Sequence, residues 1–270
     1  MLFQLAAAAA PKTFWVKGQM VPFIFLMVVL AFVYFFISRA KAGMPVPPIR
    51  KINGLEAIDE AVGRATEMGR PVHTTSGLGY VSTPSTFAFW AILAHVAKLC
   101  AKYDTRLINT NNDYQVLTVN EEIIKQSYLE AGRPDAFNAD DVRYLSGWQF
   151  TYTAACLGIF QREKIAANIM IGHFMAEAML LAEGAHNAGA VQIAGTLSTF
   201  QLPWFITACD YTLIGEEIFA AGAYVSREPV LVGSVIGQDM VRILVFVLIF
   251  VGTILQNVQA KNVLADFLRR

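Results

Sequence analysis

From Gly18 to Ser38, "GQMVPFIFLMVVLAFVYFFIS", the chain carries no charged residue. A helix of about 20 apolar residues crosses a hydrocarbon core of roughly 30 Å, and a helix apolar on every side has to be buried in protein or lipid. A second uncharged run reaches from Ile243 to Ala260, with "ILVFVLIFVGTIL" at its heart. Asp239 and Arg242 stand at its near end, where an arginine can hold its guanidinium among headgroups while its stem stays in the apolar layer. The first run lacks the basic start and the small-x-small site of a cleaved signal peptide, since only "SRAKAGMP" follows it, so an uncleaved anchor is favoured.

The expected organisation follows: an N-terminal arm over 1–17, a transmembrane helix over 18–38, a proline-rich linker over 39–53, a folded domain over 54–230, a second transmembrane helix over 239–258 and a tail over 259–270. Charge agrees with this division. Only 16% of the residues are charged, against about 25% in ordinary soluble domains, and the lipid bilayer is the first partner expected. The formal net charge is zero, and without a basic stripe nucleic acid is not an expected partner. Arg39, Lys41, Arg50 and Lys51 follow the first span closely, and basic residues collect on the cytoplasmic side. A cell-membrane location with the domain in the cytoplasm is therefore expected. Cys100, Cys156 and Cys209 are scattered through apolar runs. Neither a disulfide framework nor zinc-ligand spacing results, and buried free thiols are the simple reading.

Between the spans the chain alternates. Leu55, Ile58, Val62 and Ala65 share one helical face, and Gly69 is placed to cap that helix. "PVHTTS", "RLINTN", "NIMIG", "AVQIAGT" and "DYTLIG" read as strands. The helices between them are expected near Pro84–Lys102, Val119–Ala131 and Gly147–Gln161 and after each later strand, with Ser82 or Thr83 capping the one that Pro84 opens. Strands alternating with helices give right-handed crossovers. The fold class expected is thus α/β, a mostly parallel, doubly wound Rossmann-like sheet flanked by two transmembrane helices. The strands read as continuously apolar, which places them in a sheet covered on both faces.

In such a sheet the strand C-terminal ends share one edge, and ligands bind there. The loops on that edge read "HTTSGLG", "NTNND", "GHFMAE", "GTLST" and "GEE". They make Thr74, Thr75, Ser76, Asn109, Asn111, His173, Thr196, Ser198, Glu216 and Glu217 the candidate ligand-binding residues, although helix starts need polar caps in any α/β domain. Gly77 and Gly79 lack the third glycine of a dinucleotide fingerprint, no GxxxxGK[ST] occurs, and these loops hold no Lys or Arg. A phosphate-rich ligand is therefore not expected, and neither is a cofactor. No G-x-S-x-G elbow or H-E-x-x-H motif occurs, so no catalytic set is assigned.

"ANIMIGHFMAEAMLLAEGAHNAGAVQIAGT", 167–196, concentrates His173, Glu177, Glu183 and His186. Read as helical, His173 and Glu177 share a face at four residues' spacing. Glu177 and His186 fall on opposite sides, so the four form two pairs and no metal site is expected. His186 suits a helix C-terminus, where the dipole favours it. His73 and His95 show no partner in the sequence.

With "GLEAIDEAVGRATEMGRPVH", "AGRPDAF", "ANIMIGHFMAEAMLLAE", "DYTLIGEE" and "SREPVLVGS" in view, the chain resembles a family of prokaryotic membrane proteins that carry a domain of unknown function. The likeness covers roughly residues 50–255. It implies a bacterial or archaeal membrane protein and brings no activity, cofactor or site residue.

Two functions fit these readings. One is a non-enzymatic, homo-oligomeric scaffold or assembly component of a membrane complex, with copies of itself and other membrane proteins as partners. Its basis is the low charge, the apolar run of residues 2–10 and the small residues of "FAAGAYVS". The other is a membrane-bound enzyme or small-molecule sensor working at the polar rim.

Overall fold

The computed structural model describes residues 20–44 and 53–257. The chain divides into two units, Met1–Pro47 with Gly233–Arg270, and Pro48–Val232. The N-terminal arm, most of the linker and the C-terminal tail lie outside the described residues.

In the first unit, helix α1 spans Met20–Lys41, so helix replaces the first residues assigned to the linker. Helix α9, Pro229–Asn257, begins ten residues before the expected second span. Pro229 opens it, where a proline loses no hydrogen bond, and "VLVGSVIG" continues without a charge. A Cβ on Gly237 would come 2.8 Å from the Val33 Cα, and one on Gly233 2.6 Å from the Ile37 Cα. The four-residue spacing puts both glycines on one face, so the backbones of the two helices approach as only small residues allow.

The second unit is a six-stranded sheet between two helical layers. Its elements are α2 (Asn53–Met68), β1 (Val72–Gly77), α3 (Pro84–Tyr103), β2 (Leu107–Asn111), α4 (Tyr114–Glu130) and β3 (Val142–Tyr144), then α5 (Gln149–Glu163), β4 (Ala167–His173), α6 (Glu177–Asn187), β5 (Val191–Thr196), α7 (Leu202–Ala208), β6 (Tyr211–Ile214) and α8 (Glu217–Ser226). Every strand pair is parallel, and the order is β3-β2-β1-β4-β5-β6. One core lies under α2, α3, α4 and α8, the other under α5, α6 and α7.

Local chemistry explains most boundaries. Gly69 adopts φ 62° after α2, and Pro84 opens α3, as expected. Thr83 precedes Pro84 but makes no side-chain cap; its hydroxyl accepts from the Tyr80 amide instead. Asp113 caps α4 by accepting from the amides of Gln115 and Val116, which starts that helix five residues earlier than periodicity suggests. β3 is an unexpected sixth strand, three residues long beside β2. The four central strands, β2, β1, β4 and β5, are buried but not continuously apolar: His73, Thr74, Thr75, Asn109, Thr110 and Asn111 are all inside.

Three helices among the described residues, α1, α3 and α9, are long and apolar enough to cross a membrane. α3 owes its composition to burial, packing on β1 and β4 and against α2, α4 and α8. The small residues of "FAAGAYVS" serve that packing too, since a Cβ on Gly222 would touch the Ala91 Cβ of α3 at 3.2 Å. Cys100 and Cys156 are buried free thiols and Cys209 is half-buried.

Candidate functional site

The strand order reverses between β1 and β4. Their connections leave toward opposite faces there, and in open α/β sheets the gap this opens receives ligands. In this chain the gap is closed by its own backbone. The register of β1 against β4 shifts between Thr75 and Gly77, and Gly77 turns at φ 67°. The Leu78 amide then donates to the His173 carbonyl at 2.8 Å. A Cβ on Gly77 would meet that carbonyl and come within 2.6 Å of the Phe174 ring. A Cβ on Gly172 would collide with the Ser76 backbone. Phe174 fills the space beneath, buried and edge-on to Phe205 at 5.2 Å.

Strand alternation sends the neighbouring polar groups to both faces of the sheet, where most of them bond to one another and Asn168 Nδ2 is left buried without a partner among the described residues. Toward α3 and α4, Asn109 Nδ2 donates to Thr74 Oγ1 at 3.0 Å and Asn111 Nδ2 to Asn109 Oδ1 at 2.6 Å. Asn120 Nδ2 donates to Asn111 Oδ1 at 2.6 Å, and Trp90 Nε1 to Asn120 Oδ1 at 2.8 Å. Toward α5, the Tyr152 hydroxyl lies 2.5 Å from Thr75 Oγ1 and 3.0 Å from Thr110 Oγ1. His73 Nε2 is 2.9 Å from Thr110 Oγ1, and its Nδ1 is 2.7 Å from Asn168 Oδ1. Because Asn168 Oδ1 can only accept, Nδ1 carries the proton of the neutral ring and Nε2 accepts from Thr110.

Burial decides the proton chemistry of this second network. It depresses the His73 pKa to about 4, with the Asn168 hydrogen bond opposing in part. It pushes the Tyr152 phenol well above its ordinary range and the Cys156 thiol up to about 11. All three are neutral at pH 7 and act as hydrogen-bonding groups in a packed core. Tyr152→Phe would leave two buried hydroxyls short of a partner, and a loss of about 1–3 kcal/mol is expected. Urea unfolding of the full chain measures it.

Of the ten sequence candidates, Thr74, Thr75, Ser76, Asn109, Asn111 and Thr196 are buried. Thr74, Asn109 and Asn111 meet in one network and Thr75 belongs to the other. The Thr196 hydroxyl accepts from the Ser198 amide at 3.2 Å. His173, at the end of β4, and Ser198, after β5, are half-buried, and Glu216 is exposed before α8. The Glu217 carboxylate accepts from the Ile214 amide at 3.0 Å.

The helical pairing of His173 with Glu177 does not exist: His173 ends β4 and Glu177 begins α6. Glu177 is buried and accepts from Gln149 Nε2 at 2.6 Å and from the Met175 amide at 2.9 Å. It thereby joins the N-termini of α5 and α6. His186 does lie in the last turn of α6. His73 and His95, read as partnerless, both have partners, His95 Nε2 lying 2.8 Å from Asp59 Oδ1.

A charged cluster on the opposite edge escaped the sequence reading. Arg106, just before β2, donates to Asp141 at 2.9 and 2.6 Å and to Glu163 at 2.7 Å. Arg143 reaches the same Asp141 at 3.0 Å. The Asp141 hydrogen bond leads in raising the Arg106 pKa. A cavity of about 300 Å³ opens beside the cluster, with Tyr128, Phe137 and Asn138 in its wall. Arg106 lies 35 positions from Asp141 and 57 from Glu163, so no local pattern signals the cluster.

The model of one family, described as a domain of unknown function (DUF6754), matches residues 10–267. The chain belongs to that family. No curated protein and no solved structure matches it. The DUF6754 match covers both apolar helices and the whole α/β unit, so family membership extends to the first unit, which the resemblance in the sequence covered only in part.

Proposed function

We propose that this DUF6754 chain is a membrane-anchored assembly protein of a prokaryotic cell membrane. α1 and α9 span the bilayer, and the α/β domain, a Rossmann-like doubly wound sheet on the cytoplasmic side, builds a homo-oligomeric scaffold that other membrane proteins can join. One observation carries the reading. The gap between β1 and β4, where a doubly wound sheet takes ligands, is filled by the Gly77–Leu78 crossing and Phe174, and most polar groups around it are bonded to one another, with Thr86 Oγ1, Asn112 Oδ1 and Asn168 Nδ2 buried without a partner among the described residues. The strand order β3-β2-β1-β4-β5-β6 supports the Rossmann-like wind. The length and apolar character of α1 and α9 support the spans, and Arg39 and Lys41 at the end of α1 support the orientation.

Three measurements test this. Alkaline carbonate should leave the protein in the membrane pellet, and single-molecule photobleaching of a fluorescent fusion in native membranes should show two or more steps per spot. Single steps throughout would refute assembly. An Asn138→Cys variant should resist an impermeant thiol reagent applied to intact cells, and ready labelling would reverse the orientation.

A further inference from the structure

The two helical layers of the α/β domain present different surfaces. α2, α3 and α4 turn Glu60, Arg64, Lys98, Glu122 and Lys125 outward, an ordinary solvated face. In the other layer no charge occurs from Gln149 to Gln161 in α5, none occurs in α7, and α6 has no exposed charge before Glu183. Exposed apolar side chains occur on the first layer too, Phe87 and Leu129 among them, but in this layer they stand without charges between them. Trp148 is 81% exposed, Phe150 63%, Met175 51%, Met179 48%, Phe200 84% and Trp204 48%. All six lie at or just before the N-terminal ends of α5, α6 and α7. Since α6 packs against both α5 and α7, the six stand on neighbouring helix ends as an apolar band on the side of the strand C-terminal ends.

We infer that this band is the surface through which one copy of the chain docks on a second copy, helical layer to helical layer. The inference rests on the assembly reading above and assigns it a surface. Area supports it. With aromatic side chains offering about 150–250 Å² each, the exposed fractions of the six residues amount to roughly 700 Å², close to the ~800 Å² per partner of a stable interface. Composition supports it as well, because aromatics and methionine are enriched at protein interfaces while Lys, Glu and Asp are depleted. Charge then selects the occupant. A band without charge meets its own image with no like-charge repulsion, and it has nothing to pair with a strongly acidic or basic partner. Helices that lie in a lipid interface carry basic residues on their polar side; α7 has none, and those of α5 and α6, Arg162 and His186, stand in the last turns, at the end of each helix away from the band.

The test uses the full chain in native membranes and in mild detergent. In a Cys209→Ser background, Met179→Cys should crosslink copy to copy under mild oxidation, while Glu122→Cys on the opposite layer should not. Phe200→Glu and Trp204→Lys, made separately, should each weaken self-association at least about thirtyfold, the scale of an interface hot spot, and leave the far-ultraviolet circular dichroism unchanged. A Phe200→Leu variant, apolar and smaller, should keep most of the association. Assembly that survives both charged variants, or quenching by brominated lipids of Trp148 in a variant with Trp15, Trp90 and Trp204 changed to Phe, would overturn the assigned surface and leave the assembly reading standing. A monomeric wild type would overturn both.

Discussion

Gly77→Ala is expected to destroy the folded α/β domain, and Gly172→Ala to do the same. At Gly77 the cost has two parts. A residue with a Cβ at φ 67° pays about 1–2 kcal/mol for left-handed backbone. The new methyl must also displace the His173 carbonyl and the Phe174 ring, and neither can yield, because the first belongs to β4 and the second fills the core. At Gly172 the obstacle is the Ser76 backbone. The combined loss should exceed about 4 kcal/mol, a range reached only by a few mechanisms such as overpacking a core. Gly132→Ala is the control: Gly132 has φ 76° but nothing within 4 Å of an added Cβ. Its loss should stay near 1 kcal/mol, the backbone part alone. Urea unfolding of the three variants separates crowding from conformation. Equal small losses would mean that the β1–β4 gap can open.

Acid should destabilise the domain through His73 by about 3 kcal/mol between pH 6.5 and pH 4. The folded ring holds its pKa near 4, against a usual 6.5, because burial disfavours the charged form. Above pH 6.5 the ring is neutral whether folded or unfolded, so it makes no contribution to pH dependence. Below 6.5 the unfolded chain takes up a proton that the folded chain refuses, and stability falls by about 1.4 kcal/mol per pH unit until the folded ring also titrates. Carboxylates titrate in the lower part of this window, so the informative quantity is the difference between wild type and His73→Phe. That variant should be less stable at pH 7, having left the Asn168 carboxamide oxygen unpaired and removed one partner of the Thr110 hydroxyl, and its stability should fall less steeply between pH 6.5 and 5. Identical slopes would show that the ring is solvated in the folded state.

The sequence made the architecture legible where one chemical rule dominated. Gly69 and Pro84 mark helix boundaries because glycine and proline restrict the backbone whatever surrounds them. Five strands were legible from their apolar or β-branched centres. β3 was not, because three residues between two loops show no period and owe their pairing to β2. The start of α4 was hidden because Asp113 caps it ahead of the apolar pattern. α9 was read short because Asp239 and Arg242 looked like an end, whereas they pair with each other at 3.2 Å on one helix.

The candidate site was legible in composition but not in direction. "HTTSG" and "LINTN" announce polar groups near a strand edge, yet only the sheet shows that they turn alternately into two cores. Their polarity within buried parallel strands was the available signal. The closure of the β1–β4 gap depends on contacts between residues almost a hundred positions apart, beyond what local patterns encode.

The central claim, that the chain works as a membrane-anchored assembly of copies, is tested most directly by native mass spectrometry of the full-length protein released from membrane vesicles in mild detergent. A mass of two or more 29.7 kDa chains, retained on dilution and lowered by Trp204→Lys, is the predicted result. A single 29.7 kDa chain at every concentration would contradict the account.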